Sequence, residues 1–158
     1  MAQALGAEEM ESRQCSDALD GEGYVLGYPD ANGIVAKVAA GGKVYGVAYM
    51  STKDQTGTAI ANKQVAIIRK PKIAYVRYNN GGGETIAIGD IVSSKGANAA
   101  GTCKKLATTA WPGTWSNTDA ETICDEYALI VGIALEAKSA STSGLLKCQL
   151  LCPLPTKQ

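Results

Sequence analysis

The chain has 158 residues and a mass of 16.3 kDa, enough for one or two small domains. Its 15 basic and 15 acidic side chains cancel, and only 19% of the residues are charged. A neutral chain has no long-range field to attract nucleic acid or an anionic membrane, so we expect neither as a partner. It contains no histidine, which removes the usual general base and the commonest metal ligand and disfavours hydrolases and metalloenzymes.

The cellular context also follows from simple counts. No apolar run is long enough to cross a bilayer, and residues 1–20 lack the basic and apolar regions of a secretory signal. We therefore expect a protein that is neither inserted in a membrane nor exported. The cysteines are too few and too irregularly spaced for a disulfide framework, and their odd number favours reduced thiols: Cys15, Cys103, Cys124, Cys148 and Cys152.

In chain order, residues 1–20 come first and differ from the rest. They hold several acidic groups, little aliphatic bulk and no alternating pattern, which predicts a flexible N-terminal arm. Their helix-forming residues leave open a short amphipathic helix that orders on a partner.

From Gly21 onward, short β-branched runs alternate with clusters of Gly, Asn and Asp, which is typical of an all-β domain. We predict a small antiparallel barrel or sandwich. Nine runs of strand length support it: Gly23–Tyr28, Ile34–Ala39, Val44–Met50, Gln64–Arg69, Ile73–Tyr78, Ile91–Ser93, Thr102–Leu106, Leu129–Leu135 and Leu145–Leu151. Residues 118–128 are ambiguous between a loop and a short helix.

The chain also matches itself. Residues 33–39 align with residues 101–107, and residues 44–49 align with residues 130–135, in the same order. The match predicts two duplicated β units, 21–78 and 79–158, unless it is a chance similarity among strands rich in Val, Ala and Gly. The second unit carries an inserted loop, 111–127, where the first has a short Gly-Gly turn.

Several motifs could carry chemistry, but each has a simpler structural explanation. On an extended strand Cys148 and Cys152 would lie roughly 13 Å apart, too far to share one zinc ion. The glycine-rich segment 79–84 lacks the Lys-Ser/Thr of a phosphate-binding loop. Four acidic residues lack the order of a calcium-binding loop: Asp119, Glu121, Asp125 and Glu126. We predict no catalytic residue, no metal site and no cofactor.

Two groups of residues are candidates for a protein interface. Trp111 and Trp115 lie in the insertion, where they could cap one end of a barrel or act as binding anchors. The other group predicts either a polar sheet face or a contact patch for an acidic surface: Arg69, Lys72, Tyr75 and Arg77.

The second half contains two short motifs in a fixed order. The first is Gly89-Asp90-Ile91-Val92, and the second is Val131-Gly132-Ile133-Ala134-Leu135-Glu136-Ala137, followed by a small-residue turn and a terminal strand. This pattern, over residues 86–152 with a weaker echo in 23–71, resembles the head decoration, or cement, proteins of tailed bacteriophages. The inserted loop 111–127 departs from it.

The resemblance implies a β-rich, non-enzymatic virion protein that binds the outside of an icosahedral capsid and is assembled in the host cytoplasm. The partners it implies are the major capsid protein and copies of the chain itself, as a dimer or trimer. The residues leave one alternative, a β-barrel module that binds a ligand or carbohydrate through Trp111 and Trp115. An enzyme would need a carboxylate pair or a lysine nucleophile that the sequence does not identify.

Overall fold

The computed structural model describes residues 10–69, 73–81, 84–106 and 125–151. These residues form two antiparallel sheets and one helical turn at 125–127, which confirms the predicted all-β class. The sheets are arranged as in a sandwich, and within the described residues neither sheet closes into a barrel.

Strand bounds follow the predicted runs closely. The first sheet has four strands: β1 (Met10–Cys15), β2 (Val25–Gly27), β3 (Val44–Ala48) and β4 (Lys63–Ile68). They lie in the order β1-β4-β3-β2. The second sheet has five: β5 (Ile73–Asn79), β6 (Ile91–Ser93), β7 (Lys104–Lys105), β8 (Ile130–Ala134) and β9 (Ser143–Leu150). Their order is β5-β9-β8-β6-β7.

One predicted strand, Ile34–Ala39, is reduced to isolated bridges. Val35 bridges Cys15 in parallel and Lys37 bridges Leu26 in antiparallel fashion. Because the segment changes partner between these two residues, no continuous ladder forms.

The strand β1 lies where the sequence predicts a flexible arm, and this corrects the prediction for residues 10–20. All six residues of β1 pair with β4, while Cys15 and Leu19 are fully buried. The segment contains no β-branched residue, so its composition does not indicate a strand. Hydrogen bonds along the edge of β4 make it one. Residues 1–9 lie outside the described residues, and for them the arm stays a prediction.

The sheets divide the chain earlier than the predicted boundary at residue 79. β5 pairs along its whole length with β9, so it belongs to the second sheet. We therefore call residues 10–69 the first unit and residues 73–151 the second unit.

The two sheets share one topology, which confirms the internal repeat. The edge strand, β1 or β5, pairs with β4 or β9, which is followed by β3 or β8 and then by β2 or β6. The register also shifts at the same place, between Leu26 and Gly27 against β3 and between Val92 and Ser93 against β8. Each edge strand ends in a parallel bridge, from Cys15 in one unit and from Tyr78 in the other.

A glycine lies in the middle of each central strand, Gly46 in β3 and Gly132 in β8. A Cβ at Gly46 would lie 2.8 Å from the carbonyl oxygen of Ile68, and one at Gly132 would overlap the carbonyl oxygen of Gln149. Both glycines therefore permit the close approach of the adjacent strand.

The buried side chains form two unequal clusters. One lies wholly in the first unit: Cys15, Leu19, Leu26, Val35, Tyr45, Ala48, Val65 and Ile67. The other joins the equivalent core of the second unit to five residues of the first: Val25, Val38, Val44, Val47 and Ile68. One face of the first sheet is therefore covered by the second unit, and β3 is buried at every position.

Candidate interaction site

The structure separates the predicted interface residues. Arg69 lies in a cluster within the first unit, Arg77 lies where the two units meet, and Tyr75 lies on the exposed face of the second sheet. The remaining three lie outside the described residues: Lys72, Trp111 and Trp115.

Arg69 belongs to a group that we call the tyrosine–arginine cluster: Glu11, Arg13, Tyr28, Tyr45 and Arg69. The Tyr45 hydroxyl donates to Glu11 Oε2 at 2.5 Å and accepts from Arg13 Nε and Arg69 Nη1, each at 3.1 Å. The Arg69 guanidinium lies 3.8 Å from the centre of the Tyr45 ring, and both arginines form ion pairs with Glu11. Tyr28 packs edge-on against Tyr45, with ring centres 5.3 Å apart.

The electrostatics of this cluster keep its charges in place at neutral pH. Burial acts to raise the pKa of Glu11, but hydrogen bonds from Tyr45 and Arg13 outweigh it and hold the pKa below its usual value. Burial, together with the bond to Glu11, raises the pKa of Tyr45. The cluster therefore holds two guanidinium groups against one carboxylate beside two aromatic rings, a composition typical of protein interfaces.

The order of residues in β1 gives a weak sequence signal for this cluster, although the cluster was not predicted. Glu11, Arg13 and Cys15 alternate, so in a strand they share one face. If residues 10–15 are not assigned to a strand, this alternation predicts no shared face, and nothing in the sequence places Glu11 or Arg13 beside Arg69.

Arg77 lies in a second cluster, which joins the two units. Its backbone N–H donates to the carbonyl oxygen of Gly23 at 2.8 Å, and its Nη2 lies 3.2 Å from Asp20 Oδ1. The Tyr24 ring lies between Arg77 and Lys37, at 4.2 Å and 4.3 Å. The hydrogen bond from Tyr24 lowers the pKa of Asp20. The side chain of Arg77 is thus engaged in contacts inside the chain, between the two units.

Exposed and buried side chains alternate along β5. Tyr75 is 50% exposed, whereas Val76 and Tyr78 are buried. Ile73, on the same face as Tyr75, is 61% exposed.

Among the described residues, the charged side chains of Lys104, Asp125 and Glu126 take part in separate contacts. Lys104 lines a shallow, solvent-open depression with Asn80, Gly81 and Glu84. Asp125 pairs with Lys43 at 3.7 Å, and Glu126 pairs with Lys95. Asp119 and Glu121 lie outside the described residues.

Three cysteines are described, and all three are free and buried: Cys15, Cys103 and Cys148. Burial raises the pKa of the Cys148 thiol to about 12 and raises that of Cys103 well above its usual value. Thiols in such surroundings are poor nucleophiles.

Within the described ranges, no group of three or more metal-binding side chains comes together. In the same part of the chain, no helix is long and apolar enough to span a membrane. No family model and no curated protein matches the chain.

Proposed function

We propose that this protein is a capsid decoration protein, which binds the outer surface of an icosahedral virus shell in many copies and stabilises it. The proposal rests on the resemblance in the second half of the chain, together with one observation about the residues that carry it.

That observation is that the two motifs form a single hydrogen-bonded piece of structure. Gly89 N–H donates to the carbonyl oxygen of Ala134, and Ala134 N–H donates to that of Asp90, both at 2.9 Å. The Asp90 carboxylate accepts from Ala87 N–H at 2.7 Å and pairs with Lys105 at 2.9 Å. The motif residues thus meet in space, which supports reading them as one signature.

The acidic residue of the second motif also has a defined structural role. Glu136 Oε1 accepts from Lys147 N–H at 2.8 Å and so joins the end of β8 to β9. That hydrogen bond, with the neighbouring Lys138, lowers the pKa of Glu136. An acidic side chain at this position therefore suits the fold.

The mechanism of such a protein is mass action. A ligand that binds the assembled shell and not its separate subunits stabilises the shell by about 2.7 kcal/mol per site when its concentration is 100 times Kd. In the tyrosine–arginine cluster, Arg13 and Arg69 are partly exposed, and arginine is a residue type enriched in protein interfaces.

The direct test is quantitative mass spectrometry of purified particles from the source culture, with the copies of this chain compared with those of the main shell protein. A simple ratio set by icosahedral symmetry is expected. Absence from the particles would refute the proposal.

A second test concerns the arm. Deleting residues 1–20 would remove β1 together with buried Cys15 and Leu19, so loss of binding there would only report unfolding. Deleting residues 1–9 leaves every described residue in place. If the arm contacts the shell, this shorter deletion weakens capsid binding and leaves the far-UV circular dichroism unchanged.

The alternative, a module that binds carbohydrate through Trp111 and Trp115, stays a prediction because both tryptophans lie outside the described residues. Saturable quenching of tryptophan fluorescence by glycans would favour it.

A further inference from the structure

One row of side chains crosses the exposed face of the second sheet, and we call it the second outer row. Ile73 pairs with Gln149, Gln149 with Ile133, and Ile133 with Ile91. Ile73 is 61% exposed and Ile91 is 40% exposed. Tyr75, beside the row, is 50% exposed. Three isoleucines and a tyrosine therefore face outward on one sheet.

The repeat places a matching row on the first sheet, the first outer row. Met10 pairs with Ile68, Ile68 with Val47, and Val47 with Val25. Here the side chains are covered: Ile68, Val47 and Val25 are 5%, 1% and 0% exposed. They belong to the same hydrophobic cluster as the core of the second unit.

The two units therefore meet head to tail. In a two-fold arrangement the same face of each unit would lie in the contact, and both outer rows would be buried. Instead one outer row is covered and its equivalent is open. A contact of this kind leaves one unused surface at each end of the chain and can be repeated between copies.

The first outer row packs against a surface of the second unit, which we call the receiving surface. The equivalent surface of the first unit also differs from it in burial. In the second unit, four buried residues belong to the cluster that contains the first outer row: Ala74, Val76, Val131 and Leu150. The equivalent register positions in the first unit are Glu11, Arg13, Tyr45 and Arg69, of the tyrosine–arginine cluster. Three of them keep side-chain exposures of 27–30%. These positions are thus buried on the second unit, whereas on the first unit three of them are partly exposed and only Tyr45 is buried, at 4%.

One backbone hydrogen bond between the units shows the same difference between equivalent positions. Gly41 N–H donates to the carbonyl oxygen of Ser94 at 2.9 Å, so Ser94 lies in the contact. Its equivalent in the first unit is Tyr28, which follows β2 as Ser94 follows β6 and is 39% exposed.

We propose that the second outer row is a docking surface for the first unit of another copy of this chain, so that copies associate head to tail. The occupant is a second copy because the chain already contains this contact once, between its own units. The receiving surface of the first unit presents the partly exposed side chains of Arg13, Tyr28 and Arg69, and tyrosine and arginine are enriched at the centres of protein interfaces. The association ends in a ring if the rotation closes and otherwise extends as an open chain.

The first experiment measures the mass of the purified full-length chain by sedimentation velocity and native mass spectrometry, from about 1 μM to about 100 μM. We expect assemblies larger than the 16.3 kDa monomer. Ile73→Glu should weaken the association roughly tenfold or more, because it puts a charge into an apolar contact. Met50→Glu is the matched control, since Met50 is 48% exposed and lies on the bend after β3, and it belongs neither to the two outer rows nor to the tyrosine–arginine cluster. It should leave the mass unchanged.

A mixing experiment tests the head-to-tail geometry. Ile73→Glu disables the second outer row, and Tyr28→Asp disables the receiving surface of the first unit. Each variant alone should be largely monomeric. An equimolar mixture should form a heterodimer and nothing larger, because one intact surface of each kind remains. Far-UV circular dichroism and the urea midpoint verify that each variant is folded, and Tyr75→Glu replaces Ile73→Glu if that variant is not.

Three results would overturn the proposal. One is a wild-type chain that stays monomeric at the highest concentration. The others are an unchanged assembly in Ile73→Glu and a mixture that does not associate. None of these measurements needs a capsid, so their failure is distinct from absence of the chain from virus particles.

Discussion

Replacing Tyr45 by Phe removes one hydroxyl group from the tyrosine–arginine cluster and keeps the ring. The ring is 4% exposed, and its hydroxyl has three charged partners within hydrogen-bonding distance. A hydrogen bond to a charged group contributes about 1.5–3 kcal/mol to stability. Because Glu11 and Arg13 keep side-chain exposures of 30%, water can replace part of what they lose, so we take the lower half of that range. The expected loss is about 2 kcal/mol in the free energy of unfolding.

For a chain of this length, that loss lowers the melting temperature by about 4–8 °C. The assay is urea unfolding followed by far-UV circular dichroism at pH 7, supported by a thermal scan. Tyr28→Phe is the control, since it removes the same hydroxyl group from a tyrosine of the cluster that is 39% exposed. It should change stability by less than about 0.5 kcal/mol. If the two variants lose the same amount, or if Tyr45→Phe loses less than about 0.5 kcal/mol, the hydroxyl network does not stabilise the fold as described.

Three further predictions follow from the same structure. Because the pKa of Glu11 is lowered on folding, its contribution is present above the pKa of an unfolded glutamate and is lost as pH falls through the folded value; unfolding curves from pH 6 to pH 3 should therefore be less steeply pH-dependent in Glu11→Gln than in the wild type. Gly132→Ala should cost about 1–3 kcal/mol because its Cβ would overlap a backbone carbonyl, whereas Gly27→Ala, whose nearest neighbour would be at 3.8 Å, should cost much less; equal urea midpoints would contradict this. In native protein three of the five thiols should resist a maleimide reagent until urea is added, as mass spectrometry of the labelled peptides would show: Cys15, Cys103 and Cys148.

Local pattern predicts most of the strands because each has its own cause in the sequence. Buried apolar residues alternate with more exposed ones along β5 and β9, and turns rich in Gly, Asn and Ser follow β5 and precede β9. The repeat can be recognised in the sequence because Gly46 and Gly132 each allow a close approach of the adjacent strand that a larger residue would block. Strand alternation and close strand approach each constrain the residue type at particular positions, so both can be recognised from the sequence.

The strand β1 and the tyrosine–arginine cluster could not be predicted in this way. Residues 10–15 become a strand because the edge of β4 supplies hydrogen bonds from residues more than 45 positions away. The sequence shows Arg69 as part of a basic run, and only the pairing of β1 with β4 brings it to Glu11 and Tyr45.

The sequence by itself indicated that this protein is built from short strands in two similar units, with aliphatic residues along most of the strands. The tertiary structure decided which of these residues are buried. Val25 and Ile91 occupy the same place in the two units and are both aliphatic, yet one is fully buried and the other is 40% exposed. The difference arises because the units stack head to tail, which covers one outer row and leaves the other open.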